Sequence, residues 1–270
     1  MQPLAPAAIP AQTVPDDAQD TERRFGGLRR LYGDAGYARL RAARIAVVGL
    51  GGVGSWAAEA LARSGVAALT LIDLDHIAES NVNRQVHALD ATLGQAKALA
   101  LKERIAQIHA QCEVDAVEEF VDETNVETLL DGDRLDGVID CCDQVRAKAA
   151  LAAWSLHCGV PLVTVGAAGG KRLAQAVELA DLAEASHDPL LASLRQRLRQ
   201  RHGAARKGAM GLRCVFSREP VQMPAGDANC EVDGSLNCHG YGSVVTVTAA
   251  FGLAAAGEML NALAARERNL

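Results

Sequence analysis

Apolar and polar positions follow two rhythms along this chain. Residues 44–48 (RIAVV) form an apolar run that opens onto Gly49-Leu50-Gly51-Gly52-Val53-Gly54, and 55–63 then carries helical character until Ser64-Gly65 interrupts it. Strand, glycine turn and helix are predicted in that order. Residues 68–73 (ALTLID) read as a second strand that ends in acid at Asp73, with Asp75 two positions on, so a parallel strand–helix–strand unit follows. Beyond a polar loop through Asn81, Asn83, Arg84 and Gln85, residues 94–108 have helical spacing. Strands are then predicted at 112–120, 137–140 (GVID) and 161–165 (PLVTV), with a helix over 145–157. The alternation predicts an α/β fold with a doubly wound, Rossmann-like, mostly parallel sheet.

After Gly166 the rhythm breaks. A strand at 174–179, a basic helix at 189–201, a strand at 212–217, a long loop over 218–240 and a final helix at 243–266 are predicted. A loop of that length inside a compact domain is usually functional, which marks it as a substrate-side element.

Composition narrows the class. The chain has 270 residues, 49% of them hydrophobic, which excludes disorder over most of its length, and the scarcity of aromatics implies helices and strands that approach closely. A net charge of −6 argues against holding nucleic acid by total charge, though not against a local basic patch. Seven unevenly spaced cysteines and no signal-peptide pattern point to reduced thiols and a cytoplasmic protein. The first twenty residues read as a flexible tail. The apolar stretch 244–257 is ended by Glu258 and is short for a span of about 20 residues, so a buried or dimer-forming helix is expected and no membrane span.

The chemistry begins with Gly49, Gly51, Gly52 and Gly54. Glycines let a backbone approach a phosphate, and the following helix N-terminus offers free N–H groups. Asp73, about 20 residues on at a strand end, is placed to accept ribose hydroxyls, so an adenine nucleotide is expected. These features alone would also suit a nicotinamide-dependent dehydrogenase. Arg84 and Lys97, together with Asp140 and Asp143 of the Asp140-Cys141-Cys142-Asp143 strand end, argue instead for cations and acids gathered around a triphosphate that is cleaved. For single residues plainer roles stand beside these: a solvated helix lysine for Lys97, a salt-bridge partner for Arg84. His76 and His87 read as loop and surface residues, and Trp56 as packing for the first helix.

GLGGVGS, LIDLD, NVNRQ, the segment from Gly94 to Ala98 and DCCDQ, in that order, resemble the ATP-dependent adenylating enzymes of the ubiquitin-activating superfamily. The resemblance implies Asp73 and Asp75 near the nucleotide, with Asp73 on the ribose, Asn81, Arg84 and Lys97 on the phosphates, and Asp143 on Mg2+. The Cys-x-x-Cys pairs usual in superfamily members that serve molybdopterin and thiamine synthesis are absent. Leu31-Tyr32-Gly33, NRQVHAL, PLVTVGAAGG, DPL at 188–190, CVFS at 214–217 and Asn237-Cys238 resemble more closely the bacterial tRNA threonylcarbamoyladenosine dehydratases. That family implies adenylation of a carboxylate on a modified adenosine beside the tRNA anticodon, with loss of water. It further implies a homodimer, a protein of a cysteine desulfurase or sulfur-acceptor pathway as partner, and a monovalent cation beside ATP and Mg2+.

On this reading residues 1–22 are tail, 23–166 the ATP-binding adenylation domain, and 167–270 the substrate-side and dimerisation part. Arg195, Arg197, Arg199, Arg201, Arg206, Lys207 and Arg213, with no acid among residues 193–213, form an expected tRNA-binding stripe. Cys238, just before the last helix, is a candidate for an acyl intermediate or a cation site, with an inert buried thiol as the alternative. The rival functions are activation of a ubiquitin-like or sulfur-carrier protein C-terminus and, from another class, a dehydrogenase or a non-catalytic nucleotide-binding module.

Overall fold

The apolar run Arg44–Val48 becomes strand β1, whose Ile45 and Val47 enter one core while Ala46 and Val48 enter another. A strand buried on both faces needs such a run, and it lies inside a seven-stranded sheet, between two neighbours. The structure, a computed structural model, describes residues 17–132, 134–222 and 241–266, with side chains from residue 20. The other strands are Ala68–Ile72 (β2), Glu113–Val117 (β3), Gly137–Asp140 (β4), Leu162–Val165 (β5), Val177–Asp181 (β6) and Arg213–Ser217 (β7). Their order is β3-β2-β1-β4-β5-β7-β6, and all pair in parallel except β6 with β7. The direction of winding reverses between β1 and β4, where doubly wound sheets open a crevice for ligands.

The helices are Asp17–Phe25 (α1), Gly27–Ala42 (α2), Gly54–Arg63 (α3), Lys97–Ile108 (α4), Val126–Leu129 (α5), Val145–Cys158 (α6), Pro189–Arg201 (α7) and Val245–Ala265 (α8). One face of the sheet is covered from α3, α4 and α8, with Leu40 of α2 joining that core. The other is covered from α5, α6 and α7.

Several boundaries differ from expectation for local reasons. Helix α4 starts at Lys97, not 94, because Gly94 has φ +81° and residues 94–97 instead bond back to 75–77 (Gly94 N–H to Ile77 O, 2.9 Å; Ile77 N–H to Gln95 O, 2.8 Å; Lys97 N–H to Asp75 O, 3.0 Å). The strand expected at 174–179 begins with a single turn of 3-10 helix, Ala174–Ala176. Residues 17–22, expected in the tail, lie in α1, and α2 was not anticipated; its pattern is broken by Gly33 at φ +70°. Residues 1–16 and 223–240, which carry the rest of the tail and most of the long loop, lie outside the described residues.

Helix α8 has 21 residues and is long and apolar enough to cross a membrane by length and composition alone. Its Val247, Phe251, Ala255 and Met259 are fully buried in the core, as a central helix of a doubly wound fold requires. Gly252 lets α8 touch the backbone of α3: a Cβ there would lie 2.3 Å from Val53 O and 3.0 Å from Ala57 N. Gly252→Leu is expected to lower stability by at least about 1–3 kcal/mol, since backbone cannot give way. Gly257→Ala, where a Cβ meets nothing, should raise it by about 0.5–1 kcal/mol. Urea unfolding of both variants checks the contrast.

Candidate active site

The loop after β1 and the turn after β4 meet at the crevice. Gly49 (φ +83°) hands its N–H to Ile72 O at 2.9 Å, and a Cβ on it would strike the Cys141–Cys142 peptide at 2.9–3.0 Å. At Gly54, the first residue of α3, a Cβ would overlap Gly49 O at 1.8 Å. These two glycines let the loop fold upon itself. Above Gly51 a Cβ would find nothing nearer than Gln85 Nε2 at 4.0 Å, so the loop presents bare backbone to the cavity. That cavity measures about 650 Å³, room for a nucleotide, and is walled by the glycine loop, Asp73, Asn81, Arg84, Lys97, Asp143 and residues 166–169.

Asp73 directly follows β2, beneath the loop. Its Oδ2 accepts Leu50 N–H at 2.6 Å and its Oδ1 accepts Asp75 N–H at 2.8 Å, which leaves lone pairs on both oxygens for hydroxyls. Burial raises its carboxyl above the ordinary value, while Lys97 and the two backbone donors pull it back. Lys97, buried at the first turn of α4, sets Nζ 2.6 Å from Asp75 Oδ2 and 3.8 Å from Asp73 Oδ1. It is not a solvated helix lysine. Asn81 is buried and its Oδ1 accepts Ala78 N–H at 3.1 Å, which closes its own turn. Arg84 holds Ser80 O at 2.7 Å and Asn83 Oδ1 at 3.0 Å, and its own carbonyl accepts the Trp56 indole N–H at 2.9 Å. Trp56 thus does more than pack its helix: it fixes the backbone from which Arg84 projects.

The β4 end needs one correction. Asp140 does not face the cavity beside Asp143: it is fully buried, with Oδ2 2.9 Å from Lys148 Nζ and 2.6 Å from Thr164 Oγ1. Asp143 alone of the two is exposed, and it lines the cavity. Burial pushes the Cys141 thiol up to about 12 and Cys142 well above its ordinary value, with Asp140 adding to both, so neither supplies a thiolate. Cys238 lies outside the described residues.

His87 is a second correction, since it is 1% exposed and not a surface residue. Among the described residues both its ring nitrogens lack hydrogen-bond partners, and Gln85 Oε1 beside the glycine loop is likewise buried and unpaired. His76 is exposed and lines the cavity, where it bridges to Ala96.

The basic stripe divides in two. Arg195 donates to the carbonyls of Leu182 (2.9 Å) and Ala185 (2.7 Å), Arg197 pairs with Glu123 at 2.7 Å, Arg199 donates to Ala205 O at 3.1 Å, and Arg213 pairs with Glu258 at 2.6 Å. Residues two apart on a helix point to opposite sides, so a run of alternate arginines cannot form one face. Arg201, Arg206 and Lys207 are exposed and carry no ion pair among the described residues.

A model of the ThiF family matches residues 25–270. The chain is 43% identical over 254 residues to the Escherichia coli tRNA threonylcarbamoyladenosine dehydratase, covering 90% of this chain and 94% of that one. The crystal structure of the E. coli tRNA N6-threonylcarbamoyladenosine dehydratase in complex with ATP superposes with a TM-score of 0.82 at 43% identity, over 93% of this chain and 97% of that one. The Salmonella typhimurium molybdopterin-synthase adenylyltransferase is 38% identical over 129 residues, covering 48% of this chain and 51% of its own.

Proposed function

Because the chain belongs to the ThiF family, we propose that it dehydrates threonylcarbamoyladenosine in tRNA at the expense of ATP. The observation that carries this reading is the near end-to-end likeness to dehydratases, joined to a cavity that gathers a glycine loop, a ribose-type acid and two cations. Carrier-protein activation is not favoured, since the likeness to a molybdopterin-synthase adenylyltransferase spans only half of either chain. A dehydrogenase gives no use for Arg84 and Lys97 in one cavity.

The reaction has two steps. The threonylcarbamoyl carboxylate attacks the α-phosphorus of ATP, forming an acyl-phosphate bond and breaking the α–β bridge to release pyrophosphate. A nucleophile of the same side chain then attacks the acyl carbon, closes a ring and expels AMP, so the nucleoside has lost one water. On this chain the Gly49–Gly54 backbone and the α3 N-terminus hold phosphate, Asp73 and Asp75 hold the ribose side, and Asn81, Arg84 and Lys97 take charge that develops on the departing pyrophosphate. Among the described residues no group of three metal-binding side chains exists, and Asp143 is a single exposed carboxylate. One carboxylate plus phosphate oxygens is the donor set Mg2+ accepts, and bound there it would neutralise phosphate charge. Nucleoside analysis of anticodon loops after incubation with the protein and ATP tests the whole reading: a product lighter by one water is expected, and its absence sinks it.

The tRNA contact is assigned to Arg201, Arg206 and Lys207, and the exposed side of α8, where Leu253 is 50% exposed, to a second copy of the chain. Replacing the three cations together by Ala is expected to raise KM for tRNA and to lower the slope of log affinity against log salt by about 2–3, at unchanged ATP affinity. Filter binding across a salt series measures it. The same treatment of Arg195, Arg197 and Arg213 should leave the slope nearly unchanged.

A further inference from the structure

The buried group beneath Asp143 has a shape that packing alone does not require. Asp140, Lys148 and Thr164 are each 0% exposed and come from β4, α6 and β5. Lys148 Nζ reaches Asp140 Oδ2 at 2.9 Å, Thr164 Oγ1 at 3.2 Å and Asp140 O at 3.4 Å, while Thr164 Oγ1 donates to the same Oδ2 at 2.6 Å. The other carboxylate oxygen, Oδ1, accepts the N–H of Cys142 at 3.0 Å. A buried ion pair is a poor way to gain stability, because desolvation offsets the attraction. It is a good way to fix an angle. With Oδ2 locked by two donors, Oδ1 is left in one orientation, and the Cys141–Cys142 peptide, one unit before the peptide that leads into Asp143, is pinned to it. That turn is held on its other side by Cys141 N–H to Val48 O at 2.8 Å.

We infer that Asp140, Lys148 and Thr164 are positioning residues, which aim the Asp143 carboxylate at the metal-bound end of the nucleotide through the Cys142 N–H. The inference rests on the proposed role of Asp143 toward Mg2+. None of the three touches the cavity, so their effect reaches the nucleotide through the turn.

Calorimetric titration of ATP into the full chain, with and without Mg2+, measures the tightening due to the metal. In the unsubstituted chain this gain should be present and Asp143→Asn should remove it. Asp140→Asn, which cannot serve Lys148 and the Cys142 N–H together, should reduce the gain by about tenfold, and the milder Thr164→Val by about threefold, both at nearly unchanged metal-free ATP affinity. Placed in the Asp143→Asn background, either change should cost nothing further. Should Asp140→Asn fail to fold, Thr164→Val and its double variant carry the same cycle. A metal gain undiminished by Thr164→Val, or a further loss of ATP affinity from either change in the Asp143→Asn background, overturns the inference while leaving the nucleotide reading intact. No metal gain in the unsubstituted chain overturns the role of Asp143 and the inference with it.

Discussion

Lys97→Met is expected to slow tRNA-dependent AMP formation by about 10²–10³-fold at saturating ATP, the loss typical when a preorganised charge is removed from a transition state. The size follows from its setting. Lys97 is 5% exposed, its ammonium held by Asp75 at 2.6 Å with Asp73 at 3.8 Å, and it is carried on the first turn of α4 by the pairing of residues 94–97 with 75–77. A charge fixed in a dry wall needs no reorganisation as the triphosphate breaks, and it acts through a lower dielectric than water. Met keeps the length and apolar stem of the side chain, so the fold should survive. Lys97→Arg should recover part of the loss, because it keeps the charge but not the fit. Chromatographic assay of AMP at fixed time decides the matter: a rate within threefold of the unsubstituted chain removes Lys97 from the chemistry.

The same residue shows where sequence was sufficient. Strand β1, the glycines and the acid following β2 lie within one stretch of about 30 residues, where spacing alone fixes their juxtaposition. Lys97 lies further along but returns through a local loop to line the same cavity. What sequence concealed depended on distant partners. Asp140 looked like a site acid because it stands beside Asp143, and only Lys148 on the next helix and Thr164 on the neighbouring strand withdraw it from the cavity. The basic stripe had no acid within it, yet Glu123 and Glu258, 74 and 45 residues away, neutralise two of its members. Helix α2 lacked a clean period because Gly33 at φ +70° breaks it. His87 follows the polar loop, and its apolar neighbours Val86 and Ala88 form too short a run to mark it for burial.

Acidification from pH 7.5 to 5 should destabilise the chain by about 2 kcal/mol for each of two buried histidines, well before carboxylates dominate. Burial lowers His87 to about 4, with Lys97 and Arg104 adding repulsion, and burial likewise lowers His109 to about 4, with Arg41 and Arg24 adding theirs. Geometry agrees for His109: Arg41 can only donate, so the Nε2 that meets its Nη1 at 3.1 Å must carry the lone pair of a neutral ring. The sign follows from the depression. Above the unfolded value of 6.5 both states are neutral and full stability is present. Between that value and about 4 only the unfolded chain takes up the protons, so stability falls as pH falls. Asp73 acts in the opposite sense, since its raised carboxyl binds a proton more readily when folded. Urea unfolding at pH 7.5, 6 and 5 should therefore give a declining free energy, with half of the decline gone in His87→Phe. A decline that starts only below pH 5, or one untouched by His87→Phe, would place these rings in contact with water and contradict the burial on which the prediction stands.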